Sequence, residues 1–482
     1  MLRDRCDAAA ERPPLGIFVR PESAKADSGL AQNAAYRPSP FGYLDNSRVF
    51  GHSARVDTRL EIRRALERAR SATDDVLAPV SDEVLVAQLA PGVPPLVWSY
   101  AHVARFEELW ILRTIAGARP IPDMHDHVYD AFRRERSNGA KLPTLSPNAV
   151  RAYVNDVRER ALDVLEHVDL EAPDVLVRRG FVFGLVLQNE LQSQEAMLET
   201  LQCRTEAAYP VTEASAPDRA PGGPAEIEVP GGSFTLGATH EPWAYDNELE
   251  PHEVELAPFR IDRAPVTNGE FAEFVESRGY SSQKNWSDAG WEWRERKDVS
   301  APLYWERSSY GWERVRFGRR EPVTPWEPVQ HVSFHEAEAF AHWAGKRLPT
   351  EVEWERAAGW HDHEGKFRYP WGQAWMGFEA SLDRRRFSPA PAGSYAGGVS
   401  PVGCVQMAGD VWEWTASPFA AYPGFLSFPY PECSEVNFGD DVRVLRGGSW
   451  ATDALVARTS FRRWEGPERR EAFTGFRCAR DA

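Results

Sequence analysis

"VRVLRGGSW", residues 442–450, joins a run rich in Val and Leu to two glycines and a tryptophan. The run predicts a short strand, the glycines allow a tight backbone turn after it, and the Trp450 ring is suited to filling a core. "GDVWEWTASPF", residues 409–419, has the same character and contributes Trp412 and Trp414. The two stretches therefore predict short strands and ordered loops packed on large rings.

The same pattern extends over residues 227–482. Short strand-like stretches such as "IEVPGGSFTLGA", "VELAPFRID" and "GFRCAR" alternate with short helical ones such as "TNGEFAEFVESRG" and "SFHEAEAFAHWAGK". The density of Gly and Trp indicates long ordered loops, which often form binding sites. We expect residues 227–482 to form one α+β unit.

Residues 56–204 have a different, helical pattern. Four stretches carry apolar residues at spacings of three and four: "TRLEIRRALERARSATDDVL", "PLVWSYAHVARFEELWILRTIAG", "SPNAVRAYVNDVRERALDVLEHV" and "RRGFVFGLVLQNELQSQEAMLETLQ". They predict an up-down four-helix bundle, a scaffold that can hold metals between facing helices. A linker rich in Pro, Ala and Gly is expected at 205–226, and a loosely ordered extension at 1–55.

Composition narrows the classes of partner. The chain has 482 residues and a formal net charge of −16, which argues against a nucleic-acid or anionic-membrane surface and favours a small-molecule or protein partner. Its five cysteines form no CxxC pair, which is typical of a reducing cytoplasm. No stretch approaches the length of a membrane span, and the N-terminus has no apolar signal region. The expected location is cytoplasmic.

Several of these stretches resemble a known family. "IDRAPVTNGEFAEF" (261–274), "PVQHVSFHEAEAFAHWAGKRLPTEVEWERAA" (328–358), "GDVWEWTASPF", "RVLRGGSW" and "GFRCAR" look like the formylglycine-generating-enzyme fold, which is C-type-lectin-like. Joined to a DinB-like four-helix bundle, this domain makes nearly the whole chain after residue 55 resemble the EgtB-type sulfoxide synthases of ergothioneine biosynthesis, whose relatives include selenoneine synthases. The resemblance implies an α+β protein with a DinB-like bundle followed by a formylglycine-generating-enzyme-like domain.

The resemblance also implies an iron site, but the ligand motif is degenerate. In the family, three histidines hold a non-heme iron: one from a "W-x-x-A-H" helix and two from an "H-x-x-x-H-x-E" helix. Here "WSYAH" supplies His102, whereas Asn189 and Ser193 stand where the paired histidines belong, and Gln192 and Glu195 are kept. Neutral amide and hydroxyl oxygens are weaker iron(II) donors than imidazole, so we expect metal affinity to fall by several orders of magnitude.

The expected substrate pocket is altered as well. "TSFRRWEGP" matches a family segment that lines the pocket and gives Arg463, Trp464 and Glu465, of which Trp464 is the family residue. With Arg136 and Gln192, these are the substrate-binding residues that the resemblance implies. A family pair of arginines that holds the thiol substrate's carboxylate aligns with "RSNG", which keeps Arg136 and has Gly139 in place of the second arginine.

Structural interpretations stand beside these functional ones. His102 is either a surviving ligand or an ordinary helix histidine, and Asn189 and Ser193 are either weak ligands or polar residues that satisfy each other. His125 and His127 form a weak candidate metal pair on a loop. Cys433 either approaches the pocket or is simply buried. The formylglycine-generating activity itself, which oxidises a peptidyl cysteine, needs a pair of cysteines in the pocket of this domain. It is disfavoured here because the segment that follows "RGGSW" contains no cysteine.

The sequence is compatible with two main functions and with a third alternative. The first is an iron- and oxygen-dependent synthase that joins sulfur or selenium to a histidine betaine, with Fe(II) as cofactor and a thiol or selenol as donor. The second is an inactive paralogue that binds a small molecule or regulates an active homologue, with no cofactor. An enzyme with a relocated metal or metal-free chemistry is the third.

Overall fold

A computed structural model of the protein describes residues 58–91, 93–121, 128–129, 144–204, 208–211, 222–239 and 241–482. The predicted extension at 1–55 lies outside these ranges, as do the candidate residues Arg136, Gly139, His125 and His127.

The N-terminal part of the described chain contains five α-helices, one π-helical segment and the 3-10 turn Arg178–Gly180. The helices are α1 (Thr58–Leu77), α2 (Asp82–Val86), α3 (Leu96–Glu107), the π-helical Glu108–Ile115, α4 (Pro147–His167) and α5 (Phe181–Gln202). The four long helices coincide closely with the four amphipathic stretches of the sequence. Helix α4 begins where expected because the Ser146 side chain accepts a hydrogen bond from the backbone of Ala149 and Pro147 occupies the first turn.

Burial differs between these helices in a way that positions the site. Helices α1 and α4 bury one face, at positions such as Ile62, Leu66 and Ala69 in α1. Helix α5 is buried at nearly every position because α1 and α3 cover one side and the C-terminal part of the chain covers the other. Gly184 on α5 allows that close approach, since a Cβ there would lie 2.2 Å from the Trp243 ring.

Short strands and helices alternate in the C-terminal part. The helices are α6 (Asn268–Glu276), α7 (Asp288–Arg296), α8 (Phe334–Trp343) and α9 (Glu351–Gly359). The strands are β1 (Glu226–Val229), β2 (Gly232–Leu236), β3 (His252–Leu256), β4 (Phe259–Asp262), β5 (Trp305–Ser308), β6 (Gly311–Arg316), β7 (Arg319–Pro322), β8 (Trp360–His361), β9 (Gly365–Lys366), β10 (Trp412–Phe419), β11 (Gly439–Arg446), β12 (Arg463–Glu465), β13 (Thr474–Gly475) and β14 (Ala479–Asp481).

The strands form five small sheets rather than one large one. Their orders are β1-β4-β14, β12-β11-β10-β13, β2-β3, β5-β6-β7 and β8-β9, and pairing is antiparallel except between β10 and β13. Capping boxes begin three of the helices, at Thr267 with Glu270, Ser333 with Glu336, and Thr350 with Glu353. The predicted α+β class is therefore confirmed.

Large rings fill this part of the chain as the sequence predicted. Trp412, Trp414 and Trp450 are fully buried, and the Trp414 indole donates to the Val332 carbonyl at 2.9 Å. The four cysteines within the described ranges are buried thiols. None of the helices that the structure describes is both long and apolar enough to cross a membrane.

Candidate functional site

A cleft lies where α3 and α5 meet the C-terminal part of the chain. Phe106, Leu185, Asn189 and Gln192 line it from the helices, and Tyr245, Tyr430, Cys433, Phe461 and Trp464 line it from the loops and strands. The cavity volume is about 20 Å³, which is room for about one water molecule. A ligand larger than a water molecule would fit only if the lining side chains moved apart.

His102 lies on α3, one turn before the cleft residue Phe106. Its Nδ1–H donates to the Tyr129 carbonyl at 2.8 Å, so Nε2 carries the lone pair in the neutral ring. The imidazole stacks on Trp98 with a centroid distance of 5.0 Å, which fixes its plane. This orientation is that of a histidine prepared to donate through Nε2, and the ligand role of His102 stays a prediction.

Asn189 and Ser193 share one face of α5, as their spacing of four predicts. Asn189 lines the cleft, is 5% exposed, and its Oδ1 has no hydrogen-bond partner within the described part of the chain. The Ser193 hydroxyl donates to the Asn189 backbone carbonyl at 2.8 Å, as serines inside helices commonly do. The two positions thus present one unsatisfied amide oxygen and one hydroxyl already engaged by its own helix.

Gln192 joins the helix side of the cleft to the loop side. Its side-chain amide donates to the Tyr245 hydroxyl at 2.7 Å and to the Gln188 carbonyl at 3.1 Å. Gln188 donates to the Trp243 carbonyl at 2.8 Å and accepts from Arg458 at 2.7 Å. These bonds fix Tyr245 in the cleft wall, and its pKa is raised by burial.

The predicted substrate segment is divided by the alternation of strand β12. Trp464 lines the cleft and stacks on Phe419 with centroids 4.3 Å apart. Arg463 and Glu465 point to the other face of the strand, because successive side chains alternate. They are absent from the residues that line this cleft and form an ion pair of 3.0 Å with each other. A substrate-binding role for these two stays a prediction.

A buried charge network surrounds Arg463. Its guanidinium pairs with Glu199 at 2.9 Å and Glu195 at 3.4 Å, both on α5, and burial raises the pKa of Glu195 and of Glu465. Glu195 also accepts hydrogen bonds from three side chains of the C-terminal part: Trp412 at 2.9 Å, Ser449 at 2.5 Å and Thr452 at 2.8 Å. The side chain of Glu195, the last residue of the degenerate ligand motif, therefore connects α5 to the C-terminal part of the chain.

Cys433 lies in the cleft wall, and its thiol forms a hydrogen bond with the buried side chain of Asp246. The thiol hydrogen bonds to Asp246, which also accepts from the Ser434 hydroxyl and, at 3.1 Å, from the Phe428 backbone. Burial raises the pKa of Asp246 to about 6 and raises that of the Cys433 thiol well above its usual value. A thiol held in this way is protonated and unreactive at neutral pH.

Sequence reasoning missed most of the aromatic lining. Phe106 and Phe461 lie close to predicted site residues, at His102 plus four and Trp464 minus three, and that spacing was the available signal. Tyr245 and Tyr430 come from loops whose sequences carry no periodic pattern, so only the folded chain brings them in. Tyr430 reaches the helix side by stacking on Trp110, 5.2 Å between centroids.

Comparison with known proteins gives two family matches. Residues 212–482 match the sulfatase-modifying factor enzyme 1-like domain, and residues 65–192 match the DinB superfamily. The formylglycine-generating enzyme of Streptomyces coelicolor is 34% identical over 287 residues, covering 53% of this chain and 89% of that protein. The class is thus a DinB-type helical part joined to a formylglycine-generating-enzyme-type domain.

Similarity over almost the whole length is found with two mycobacterial proteins. The hercynine oxygenase of Mycobacterium tuberculosis is 43% identical over 423 residues, and that of Mycolicibacterium smegmatis is 42% identical over 429 residues. Each alignment covers 86% of this chain and 97% of the relative. The chain belongs to the hercynine oxygenase family of EgtB-type proteins, which confirms the resemblance noted in its sequence.

Proposed function

We propose that the protein acts on a histidine betaine in this cleft and forms a carbon–sulfur or carbon–selenium bond at its imidazole ring, as a synthase of the hercynine oxygenase family. The observation that carries the proposal is 42–43% identity to hercynine oxygenases over 97% of their length. The substrate is then a small molecule, a thiol or selenol is the second reactant, and O2 is the oxidant. The ring C–H bond and the S–H or Se–H bond break, the new carbon–sulfur or carbon–selenium bond forms, one oxygen atom stays on the sulfur or selenium, and the other leaves as water.

The lining of the cleft supports a betaine ligand. Five aromatic side chains surround it, contributed by Phe106, Tyr245, Tyr430, Phe461 and Trp464. A trimethylammonium group cannot donate a conventional hydrogen bond, and it is attracted to the faces of aromatic rings. The rings would therefore hold the cationic end of the substrate, leaving its imidazole to the polar residues of α5.

The iron(II) that the family resemblance implies does not fit the residues at the expected positions. His102 is an imidazole with Nε2 as donor, but Asn189 and Ser193 offer only a neutral amide and a neutral hydroxyl, which bind iron(II) weakly. Across the described ranges, no group of three His, Cys, Asp or Glu side chains is arranged to hold a metal. A metal-dependent step therefore has no strong ligand set in this part of the chain.

This donor set favours a second function, a protein that binds the betaine without converting it or that regulates an active homologue. The cleft and its aromatic lining would serve that role unchanged. The two functions make the same prediction for binding and opposite predictions for turnover.

One series of measurements on the full-length protein separates them. Calorimetric titration with Nα-trimethylhistidine, with histidine as the control that lacks the quaternary ammonium, tests the cleft. Protein loaded anaerobically with iron(II) is then analysed for metal and incubated with betaine, oxygen and a thiol or selenol. Product together with stoichiometric iron that is lost in His102→Ala supports the synthase. Betaine binding without iron or product supports the binding protein, and absence of betaine binding contradicts both.

A double variant tests the metal position independently of activity. Asn189→His with Ser193→His restores two imidazoles on the face of α5 that presents Asn189 to the cleft. We expect this variant to retain iron(II) after desalting, measured by elemental analysis, while the wild-type protein retains much less. Equal iron in the two proteins would contradict the placement of the site.

A further inference from the structure

The orphan oxygen of Asn189 is the starting observation. The side chain is 5% exposed, lines the cleft, and its Oδ1 accepts no hydrogen bond within the described part of the chain. A buried acceptor without a donor costs folding free energy, and native proteins keep few of them. When such an atom lies in a cleft wall, a ligand that donates a hydrogen bond to it removes this cost and is thereby favoured.

Neighbouring polar groups in the wall are already engaged inside the protein. Gln192 donates to Tyr245 and to a backbone carbonyl, and the Cys433 thiol bonds to Asp246. The Ser193 hydroxyl, one turn along the same face, donates to the Asn189 backbone. Asn189 is thus the polar residue of α5 best placed to form a hydrogen bond with a ligand.

The chemistry of position 189 differs from that of an imidazole. A histidine at this place offers a lone pair to a metal, whereas a primary amide offers a hydrogen-bond acceptor and donor directly to a ligand. An imidazole ring carries one N–H donor and one acceptor nitrogen in its neutral form. The amide and the ring are therefore complementary without a metal between them.

We infer that Asn189 is a specificity-determining residue that accepts a hydrogen bond from the imidazole N–H of the bound betaine, in place of metal-mediated contact. The inference rests on the proposed function, because it requires the betaine to bind in this cleft. Aromatic rings hold the ammonium end, and Asn189 selects a ligand whose ring still carries its proton donor. Binding is accordingly independent of metal.

The test is a cycle of ligands and variants with a chelator present. Calorimetric titrations of the full-length protein use Nα-trimethylhistidine and its two ring N-methylated analogues, in buffer containing EDTA. Neither N-methylated ring has an N–H donor in its neutral form, so the wild-type protein should prefer the unmethylated ring to both analogues by about 3- to 10-fold, the value of one neutral hydrogen bond. Asn189→Leu, which keeps the side-chain size, should abolish that preference.

Two further variants keep the result interpretable. Asn189→Asp retains an acceptor and should retain the preference even where Asn189→Leu is poorly folded. Leu185→Ala changes the shape of the same wall one turn earlier and should weaken all three ligands by similar factors, with the preference intact. Circular dichroism checks the fold of each variant.

The outcomes distinguish this inference from the proposed function. Betaine binding with a ring preference that Asn189→Leu removes supports both. Betaine binding with no ring preference, with the same preference in Asn189→Leu, or only when metal is added overturns the inference alone. Failure of every betaine to bind overturns the proposed function and the inference with it.

Discussion

Trp464 is an aromatic residue of the cleft wall whose ring could contact a cationic ligand. Its ring lies in the cleft wall and is held flat against Phe419, 4.3 Å between centroids and 10° between planes. The stacking on Phe419 limits the freedom of the Trp464 ring before a ligand binds, and an aromatic ring in a cleft wall attracts a cation. The stacked pair therefore gives a specific expectation for a quaternary ammonium ligand.

We predict that Trp464→Ala lowers the affinity for Nα-trimethylhistidine by about 2- to 30-fold, the range of a cation–π contact. Trp464→Phe should recover most of the loss because it keeps an aromatic face against Phe419. Calorimetric titration gives both values. A loss of the same size for histidine, which has no quaternary ammonium, would show that Trp464 contributes shape only.

Asp246 gives a prediction about pH. Burial raises its pKa from 3.8 to about 6, against the hydrogen bonds from Ser434 and Phe428. An acid with a raised pKa holds its proton more tightly in the folded state, so this contribution to stability is complete below pH 4 and is lost as the pH rises to about 6. This difference between the folded-state and unfolded-state pKa of Asp246 corresponds to about 3 kcal/mol.

Comparison with Asp246→Asn isolates this contribution. The free energy of unfolding of the wild-type protein, relative to the variant, should fall by about 2–3 kcal/mol between pH 4 and pH 7. Urea unfolding at several pH values measures it, and other titrating groups cancel in the difference. Parallel pH profiles for the two proteins would show that Asp246 titrates normally.

At the scale of elements, the helical part encloses a compensated set of charges. Arg70 pairs with Glu190 at 2.8 Å and Glu107 at 3.1 Å, and Arg158 pairs with the same two acids at 2.5 Å each. Burial opposes ionisation of Glu190, but the two arginines outweigh it and lower its pKa to about 2. The set joins α1, α3, α4 and α5, and two positive charges balance two negative ones.

Removing one member should leave a buried charge without compensation. We expect Arg70→Met to lower the free energy of unfolding by about 3–5 kcal/mol. Arg63→Met, in the exposed pair of Arg63 and Glu166 on α1 and α4, is the matched control and should cost less than about 1 kcal/mol. Urea unfolding at neutral pH compares them. Similar small losses for both variants would mean that water reaches the Arg70 cluster.

The helices of this part were predictable from the sequence, and the reason is local. The apolar spacing of 58–77 gave the extent of α1, and the amphipathic stretch that begins at Ser146 contains α4. The π-helical segment after Glu107 was not predicted, because its pattern of apolar residues resembles that of an ordinary helix. The small strands β8, β9 and β13 have two residues each and carry no periodic signal.

The site was predictable only in part. Asn189, Gln192 and Trp464 followed from motifs and lie in the cleft wall. Arg463 and Glu465 were taken with Trp464 as one segment, and the alternation of a strand turns them to the opposite face. Tyr245 and Tyr430 reach the cleft through tertiary contacts that a local pattern does not encode.

At the scale of the molecule, α5 is shared by both parts of the chain. Gln188 contacts Trp243 and Arg458, Glu195 accepts from Ser449, and Gln202 at the C-terminal end donates to Val315 at 2.9 Å. These contacts run along the whole helix. Unfolding of one part therefore removes partners from the other, and we expect a single cooperative transition in calorimetry.

Gly184 provides the sharpest test of this shared helix. A Cβ there would lie 2.2–2.6 Å from the Trp243 ring atoms nearest its backbone, so the loop carrying Trp243 has to shift rather than the ring alone. We expect Gly184→Ala to cost about 1–3 kcal/mol and to lower the melting temperature of the whole transition. Gly222→Ala is the control, since no atom lies within 4 Å of its added Cβ. A shared helix transmits the strain at Gly184 to both parts of the chain. The coupling of the two parts through α5 would therefore be contradicted if only part of the calorimetric transition moved to lower temperature. It would also be contradicted if Gly184→Ala and Gly222→Ala melted at the same temperature.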